Sequence, residues 1–477
     1  LLWLQTAWAQ GRPGVLLADD MGLGKTLQAL AFLAWLREGM SAGTIPRGPM
    51  LIVAPTGLLE NWRQEHDAHL AAPGLGVVLR AYDKDLAAHR AIDPAGRPRL
   101  SASALRAADC VLTTYETLRD YDRDFGEVRF AAAVFDEAQK IKTPGIRLTD
   151  AAKAMHADFR LAMTGTPVEN RLSDLWCIVD TVHPGYLGDL KAFSTRYEQC
   201  PDEAALRSLR DQLDRARGSR PPLLLRRFRA DHLPDLPPFT EDVVEEVMPA
   251  PQREAYEQAV AEARQATGLG STLSALAALR RISLHPRPDG VQADTAFIDE
   301  SARLRVLFRV LDAVHDRREK ALVFLDDRDM QARLAVLIQR RYALAEPPVI
   351  INGAVPGATR QAHVNHFQAA REGFGVMVLS PRAGGVGLTL TSANHAIHLE
   401  RWWNPAVEDQ CTGRVLRIGQ KRPVTIHVPQ AVCAGRRSFD QNLHALLLRK
   451  RQLVREALGS GEVSEDEGRA LLDASIA

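Results

Sequence analysis

Residues 15–26, VLLADDMGLGKT, constrain this chain more than any other stretch. The apolar residues Val15, Leu16, Leu17 and Ala18 stop abruptly at Asp19-Asp20 and a turn holding Gly22 and Gly24. LQALAFLAWLRE follows, with apolar residues at helical spacing. Strand, glycine turn and helix together form a cradle for phosphate. Glycine lets backbone N–H groups approach the oxygens, a lysine supplies charge, and a threonine hydroxyl binds Mg²⁺. The candidate nucleotide contacts are therefore Asp20, Met21, Gly22, Leu23, Gly24, Lys25 and Thr26, with Thr26 also a metal ligand. One position departs from the general pattern: Asp19 stands where glycine is usual, six places before the lysine.

Short apolar runs alternate with helix-period segments on both sides of this cradle. The expected strands are 15–18, 51–54, 110–114, 133–135 and 160–164 in the first half. In the second half they are 321–325, 349–352, 376–380, 396–399 and 424–428. Alternation of this kind predicts parallel sheets covered on both faces, with ligands at the carboxyl ends of the strands. Between about 184 and 240 the alternation gives way to mixed-charge helix (202–217) and the Pro-rich run 231–238. A helical block at 251–286, broken at Gly268-Leu269-Gly270-Ser271, comes next. A helix at 438–458 closes the fold and an acidic, loose tail follows. The expected division is 1–230, 231–457 and the tail 458–477.

With 477 residues the chain has room for more than one core, and 46% hydrophobic with 25% charged residues is ordinary for a globular protein. A net charge of +1 means that any nucleic-acid partner must be held by a local basic patch. The five cysteines are scattered without a C-x-x-C pair, which excludes a zinc ribbon and a secreted disulfide framework and predicts a cytoplasmic protein. The His66-Asp67-Ala68-His69 cluster reads as an exposed helix face. No apolar run reaches the roughly 18 residues of a membrane span, so no membrane partner is expected. The chain starts without methionine inside an apolar helix pattern, as a piece of a longer protein would.

Asp136-Glu137 end the apolar run AAAVF, where one carboxylate can hold Mg²⁺ and its neighbour can activate water. Thr164, Gly165 and Thr166 form a third polar strand end, suited to sensing the metal site. Thr56, Asn61, Thr113 and Thr114 lie near strand ends and suit phosphate contacts. In the second half, VLSPRAGGVGLTLTSAN is a strand and a glycine-rich turn, with Gly385 and Gly387 as cofactor candidates. Helical spacing sets Gln410, Arg414 and Arg417 on one run, the two arginines one turn apart and able to face one way.

The set LADDMGLGKT, LIVAPTGLLENW, VLTTYETLR, DEAQKIK, LAMTGTPVENRLSDLW, SPRAGGVGLTLT, WWNPAVEDQ and RVLRIGQ resembles the Swi/Snf-type ATPases of helicase superfamily 2, in order, over about residues 1–458. LLLRRF at 223–228 is similar to the family's connector between lobes. The resemblance accounts for the Asp19 departure. It implies two RecA-like lobes, ATP between them, double-stranded DNA across both, and helical protrusions. Carried over residue by residue, Lys25 and Thr26 bind phosphate and Mg²⁺, Asp136 binds Mg²⁺, and Glu137 activates water. Arg414 and Arg417 serve as arginine fingers supported by Gln410. Lys142, Ser380, Arg382 and Gly384 join the DNA contacts, and Trp402 or Trp403 couples DNA to lobe closure. Gly413, Leu416 and Glu400 depart from the family's usual Asp, His and Asp. The adenine-reading glutamine is expected upstream of Leu1; Gln5 does not replace it. Bacterial relatives by resemblance include polymerase-recycling factors and anti-phage defence motors. A strand-separating helicase and a nucleotide-gated binding module are the competing readings.

Overall fold

The buried run that precedes the phosphate turn is strand β1, Gly14–Leu17, and every one of its residues is enclosed. The computed structural model describes residues 1–93, 96, 98–168, 171–199, 203–216, 218, 220–228, 237–265, 269–290, 293–369, 373–381 and 388–457. Two compact units emerge, the first built on Leu1–Pro234 and the second on Asp235–Gln452.

In the first unit, β1 pairs with β8 (His156–Met163) and β9 (Leu224–Leu225). β8 continues to β7 (Arg129–Asp136), β2 (Met50–Ala54), β6 (Cys110–Thr114) and β3 (Val78–Ala81). The order β3-β6-β2-β7-β8-β1-β9 is parallel throughout. β4 (Arg90–Ile92) and β5 (Pro98–Leu100) form a separate antiparallel ribbon. Strands β2, β6 and β7 are near-continuously buried, because helices cover both faces of such a sheet. The N-terminal helix Leu2–Ala9 docks through Trp8, whose ring lies 5.7 Å from Phe159 and 6.4 Å from Phe32 on the helix Lys25–Ser41.

The second unit repeats the design in the order β10-β15-β14-β11-β13-β12, again parallel. These strands are β10 (Phe239–Val247), β11 (Lys320–Phe324), β12 (Val349–Ile351), β13 (Gly375–Leu379), β14 (His395–His398) and β15 (Val424–Val432). The helices Ala250–Gln265 and Leu269–Leu284 pack on each other and on the closing helix Phe439–Ala457 through Tyr256, Val260, Leu276, Leu279, Phe439 and Leu443. The helical block expected at 251–286 is thus anchored in a core. The acidic tail 458–477, most of the Pro-rich run and Gly268 lie outside the described residues.

A buried ion pair pins the closing helix. Arg303 donates from Nε and Nη2 to Asp440, both side chains almost wholly enclosed, and from Nη1 to the Leu399 carbonyl at 3.0 Å. Asp440 also accepts the Ala431 N–H at 2.8 Å. Asp440→Ala leaves a buried guanidinium without its counterion, and the expected cost is about 3–5 kcal/mol. A denaturant titration of the second unit's transition measures it.

Five strands were not expected: β3, β9, β10 and the two of the separate ribbon, β4 and β5. β3 alternates exposed and buried residues at one end of its sheet, and β9 is two residues long. β10 is the larger correction, because the Pro-rich run at 231–238 was expected to be followed by the helical block at 251–286, with no strand of the second sheet before 321. Its residues FTEDVVEEV are mostly exposed and four of the nine are acidic, as suits an edge strand. Nine parallel pairings with β15 hold it in place.

Candidate active site

Helix Lys25–Ser41 begins at Gly24, whose φ of 73° is left-handed; Gly22 has φ 87°. Side chains rarely adopt such angles, so glycine is required at both turns. No side chain caps this helix, leaving its first-turn N–H groups for an anion. Lys25 is folded back into the loop, where its Nζ donates to the Asp19 carbonyl at 2.6 Å and the Asp20 carbonyl at 3.2 Å. Desolvation lowers its pKa, against the pull of Glu137, Asp136, Asp19 and Asp20. Gly165 closes on the loop from the end of β8. A Cβ there would stand 2.9 Å from Met21 Cε and 3.7 Å from Lys25 Nζ.

Asp136 ends β7, which is two strands from β1 with β8 between them. Its carboxylate accepts the Trp62 indole N–H at 2.8 Å and the Glu137 N–H at 3.0 Å. Burial pushes it up to about 7; the Glu137 charge adds to this, while Trp62 and Lys25 oppose it. A carboxylate so desolvated is one that a bound cation would restore to its charged form, which fits Mg²⁺. Tyr115 donates to the Asp136 carbonyl at 2.7 Å, so the helices after β2 and β6 both brace this strand end.

Glu137 adopts φ 52°, uncommon for a residue with a side chain. Its Oε2 accepts from Gln139 Nε2 at 2.8 Å, the Thr164 hydroxyl donates to Gln139 Oε1 at 2.8 Å, and the Thr166 N–H donates to Thr164 Oγ1 at 3.0 Å. This chain joins the general-base candidate to the third strand end.

Several expected DNA contacts are placed differently. Thr113 is fully buried and its hydroxyl donates to the Ala81 carbonyl at 2.9 Å, satisfying the sheet rather than facing a ligand. Thr114 is also buried and caps the helix Tyr115–Asp120 by accepting the Thr117 N–H. Lys142 is mostly enclosed, 3.5 Å from Asp174. Thr56 remains exposed, and Asn61 donates to Glu65 at 2.8 Å. His66 accepts the Leu75 N–H at 3.1 Å. Among the described residues no cluster of three or more His, Cys, Asp or Glu could hold a metal ion.

In the second unit, the helix carrying Gln410 is Pro405–Thr412, capped by Asn404 and ending at Gly413. The arginines are therefore not on one helix. The chain tightens at Gly413 into i→i−3 bonds, Arg414 N–H to Cys411 and Val415 N–H to Thr412, both at 3.1 Å. Arg414 is buried, with Nη1 3.4 Å from the Leu388 carbonyl, and Arg417 is part-exposed. Ser380 is buried and its hydroxyl donates to Asp326 at 3.3 Å. Glu400 accepts the N–H groups of Asp326 and Asp327 at 2.8 and 3.3 Å and lies 3.5 Å from Arg280, whose guanidinium covers the Trp402 ring at 5.5 Å. Trp403 packs edge-on against Phe439 at 5.5 Å. Arg382, Gly384, Gly385 and Gly387 lie outside the described residues.

The SNF2-related domain profile matches residues 1–288. The chain belongs to the SNF2-related family. The helicase conserved C-terminal domain matches residues 302–419, so the chain carries both domains of a Swi/Snf-type core of superfamily 2. Zorya protein ZorD of Escherichia coli O139:H28 is 36% identical over 491 residues, 96% of this chain and 44% of ZorD. YwqA of Bacillus subtilis strain 168 is 34% identical over 459 residues, 92% of this chain and 46% of YwqA. This SNF2-related chain thus spans less than half the length of these curated relatives. A solved Sulfolobus solfataricus SWI2/SNF2 ATPase core in complex with dsDNA is 28% identical, with 98% of this chain and 92% of that chain covered and a TM-score of 0.44. Among the described residues no helix is long and apolar enough to cross a membrane.

The motifs did not single out Trp62, Tyr115, Gln28 and Arg227. Each acts by a contact to a residue far along the chain, and local spacing carries no sign of such a contact.

Proposed function

We propose that this SNF2-related chain couples ATP hydrolysis to sequence-independent movement along double-stranded DNA, with lobes at 1–230 and 231–457. The observation that carries this reading is the hydrogen-bonded chain Glu137–Gln139–Thr164–Thr166, which links the water-activating position to a strand end that packs on the phosphate loop. In this reading the backbone of residues 20–24 and Lys25 bind the triphosphate of ATP, and Thr26 and Asp136 hold Mg²⁺. The metal, when bound, supplies charge neutralisation on the phosphate oxygens. Glu137 accepts the proton of the attacking water. Arg417 and Arg414, supported by Gln410, meet the charge that develops on the transferred group. Thr56, Asn61, Ser380, Arg382, Gly384 and Trp402 serve the DNA backbone; Thr113, Thr114 and Lys142 serve the fold. A setting in a bacterial defence system is part of the proposal, and the similarity to ZorD supports it.

Steady-state ATPase with duplex, single-stranded and no DNA tests this reading. Duplex is expected to stimulate turnover at least tenfold, and the stimulation is expected to fall steeply with salt because phosphate contacts carry it. Displacement of a triplex-forming strand without separation of the duplex marks a translocase. Unwinding of the duplex assigns a strand-separating helicase instead. ATP binding with no DNA-stimulated turnover assigns a nucleotide-gated binding module.

A further inference from the structure

Asp19, the one departure in the phosphate loop, is completely buried. Its carboxylate takes four donations from Arg227. These are the backbone N–H to Oδ1 at 3.0 Å, Nε to Oδ1 and Oδ2 at 3.0 and 3.1 Å, and Nη2 to Oδ2. Gln28, in the first turn of the phosphate-loop helix, completes a triangle. It donates to Asp19 Oδ2 at 3.2 Å and accepts from Arg227 Nη2 at 2.7 Å, while also donating to the Leu23 carbonyl at 3.1 Å. The same Asp19 offers its backbone carbonyl to Lys25, and the Asp20 N–H donates to the Arg227 carbonyl at 2.9 Å.

Arg227 sits at the end of a segment fastened along its whole length. Arg12 donates to the Pro221 carbonyl, and Trp3 donates to the Pro222 carbonyl at 3.0 Å. β9 pairs with β1, and the Ala18 N–H donates to the Leu225 carbonyl at 2.8 Å. This is the chain's last described segment before the second unit begins at Asp235. Two-pronged, charge-assisted bonds fix orientation as well as distance, which a fold held only by packing would not need here.

We propose that Arg227 is a positioning residue for nucleotide binding. It acts through Asp19 and Gln28 to hold the phosphate loop, and Lys25 within it, in the register that receives the triphosphate. The proposal rests on the ATPase reading above. Because Arg227 acts on the receiving loop rather than on the reacting group, its loss should weaken binding more than the chemical step.

The test compares Arg227→Gln, Arg227→Lys, Gln28→Ala and Lys25→Ala in the intact chain, with KM for ATP, kcat and melting temperature measured for each. Arg227→Gln is expected to raise KM about tenfold and to lower kcat by a smaller factor, and Arg227→Lys to recover part of the KM loss. Gln28→Ala removes the bridge without stranding a buried charge and is expected to raise KM about threefold. If Arg227→Gln fails to fold, Gln28→Ala carries the test alone. A KM within a factor of 1.5 of wild type in the folded variants, or a loss confined to kcat, overturns the proposal. Lys25→Ala separates the two readings. Turnover that survives it sinks the reading of this loop as the site of ATP hydrolysis, whereas an inactive Lys25→Ala beside an unmoved Arg227→Gln sinks only the positioning role.

Discussion

Glu137→Gln is expected to lower DNA-stimulated ATP turnover by about 10²–10⁴-fold, the range for losing a positioned general base. That is roughly 3–5 kcal/mol of barrier. The substitution is nearly isosteric and the local bonds support it. The residue's left-handed backbone is accompanied by its N–H donation to Asp136, which glutamine retains. The Gln139 amide that donates to Oε2 can donate equally to a glutamine carbonyl, so the link to Thr164 persists. The melting temperature should therefore stay near wild type, and nucleotide binding followed by fluorescence should be retained. A variant that keeps turnover within tenfold removes Glu137 from the proton-transfer role.

The parts of this molecule that were legible in the sequence are those whose physics is local. The phosphate loop could be read because a buried strand, two glycines with positive φ, a lysine and a helix lie within a dozen residues. Helix Thr56–His69 was legible as one of the helix-period segments between the expected strands, through Leu58, Leu59 and Trp62. β10 could not be read. Its side chains are mostly exposed, with acidic and apolar residues mixed, and its pairing with β15, far along the chain, makes it a strand. The arginine run misled for the opposite reason. Spacing of three and four suits a helix, but Gly413 ends it and the next bonds tighten, so Arg414 turns inward while Arg417 stays part-exposed. Thr113 misled because position at a strand end was read without the neighbouring strand, whose Ala81 carbonyl takes the hydroxyl. Asp19 looked like a plain departure from a pattern until Arg227, 208 residues on, supplied its partner.

Arg417→Ala is expected to lower turnover about 10³-fold, or about 4 kcal/mol, while ATP still binds. The turn that carries it is rigid. Gln420 is buried beneath it, donating to the Ala393 carbonyl at 2.8 Å and the Val415 carbonyl at 3.2 Å and accepting the N–H groups of Lys421 and Arg422. The Gln420 N–H in turn donates to the Arg417 carbonyl at 3.0 Å, and Gly419 with φ 101° turns the chain away. A backbone so braced fixes where the Arg417 side chain starts, which helps a transition-state contact. Arg417→Lys should recover little, because a point charge does not reproduce a planar, two-pronged donor. Arg414→Ala provides the contrast. Its side chain is buried against the Leu388 carbonyl, so it should lower the melting temperature of the second unit, which Arg417→Ala should not. Single-turnover hydrolysis with prebound ATP separates the chemical step from binding. A rate within twofold of wild type for Arg417→Ala, well under 1 kcal/mol, would leave the transition state without its proposed arginine.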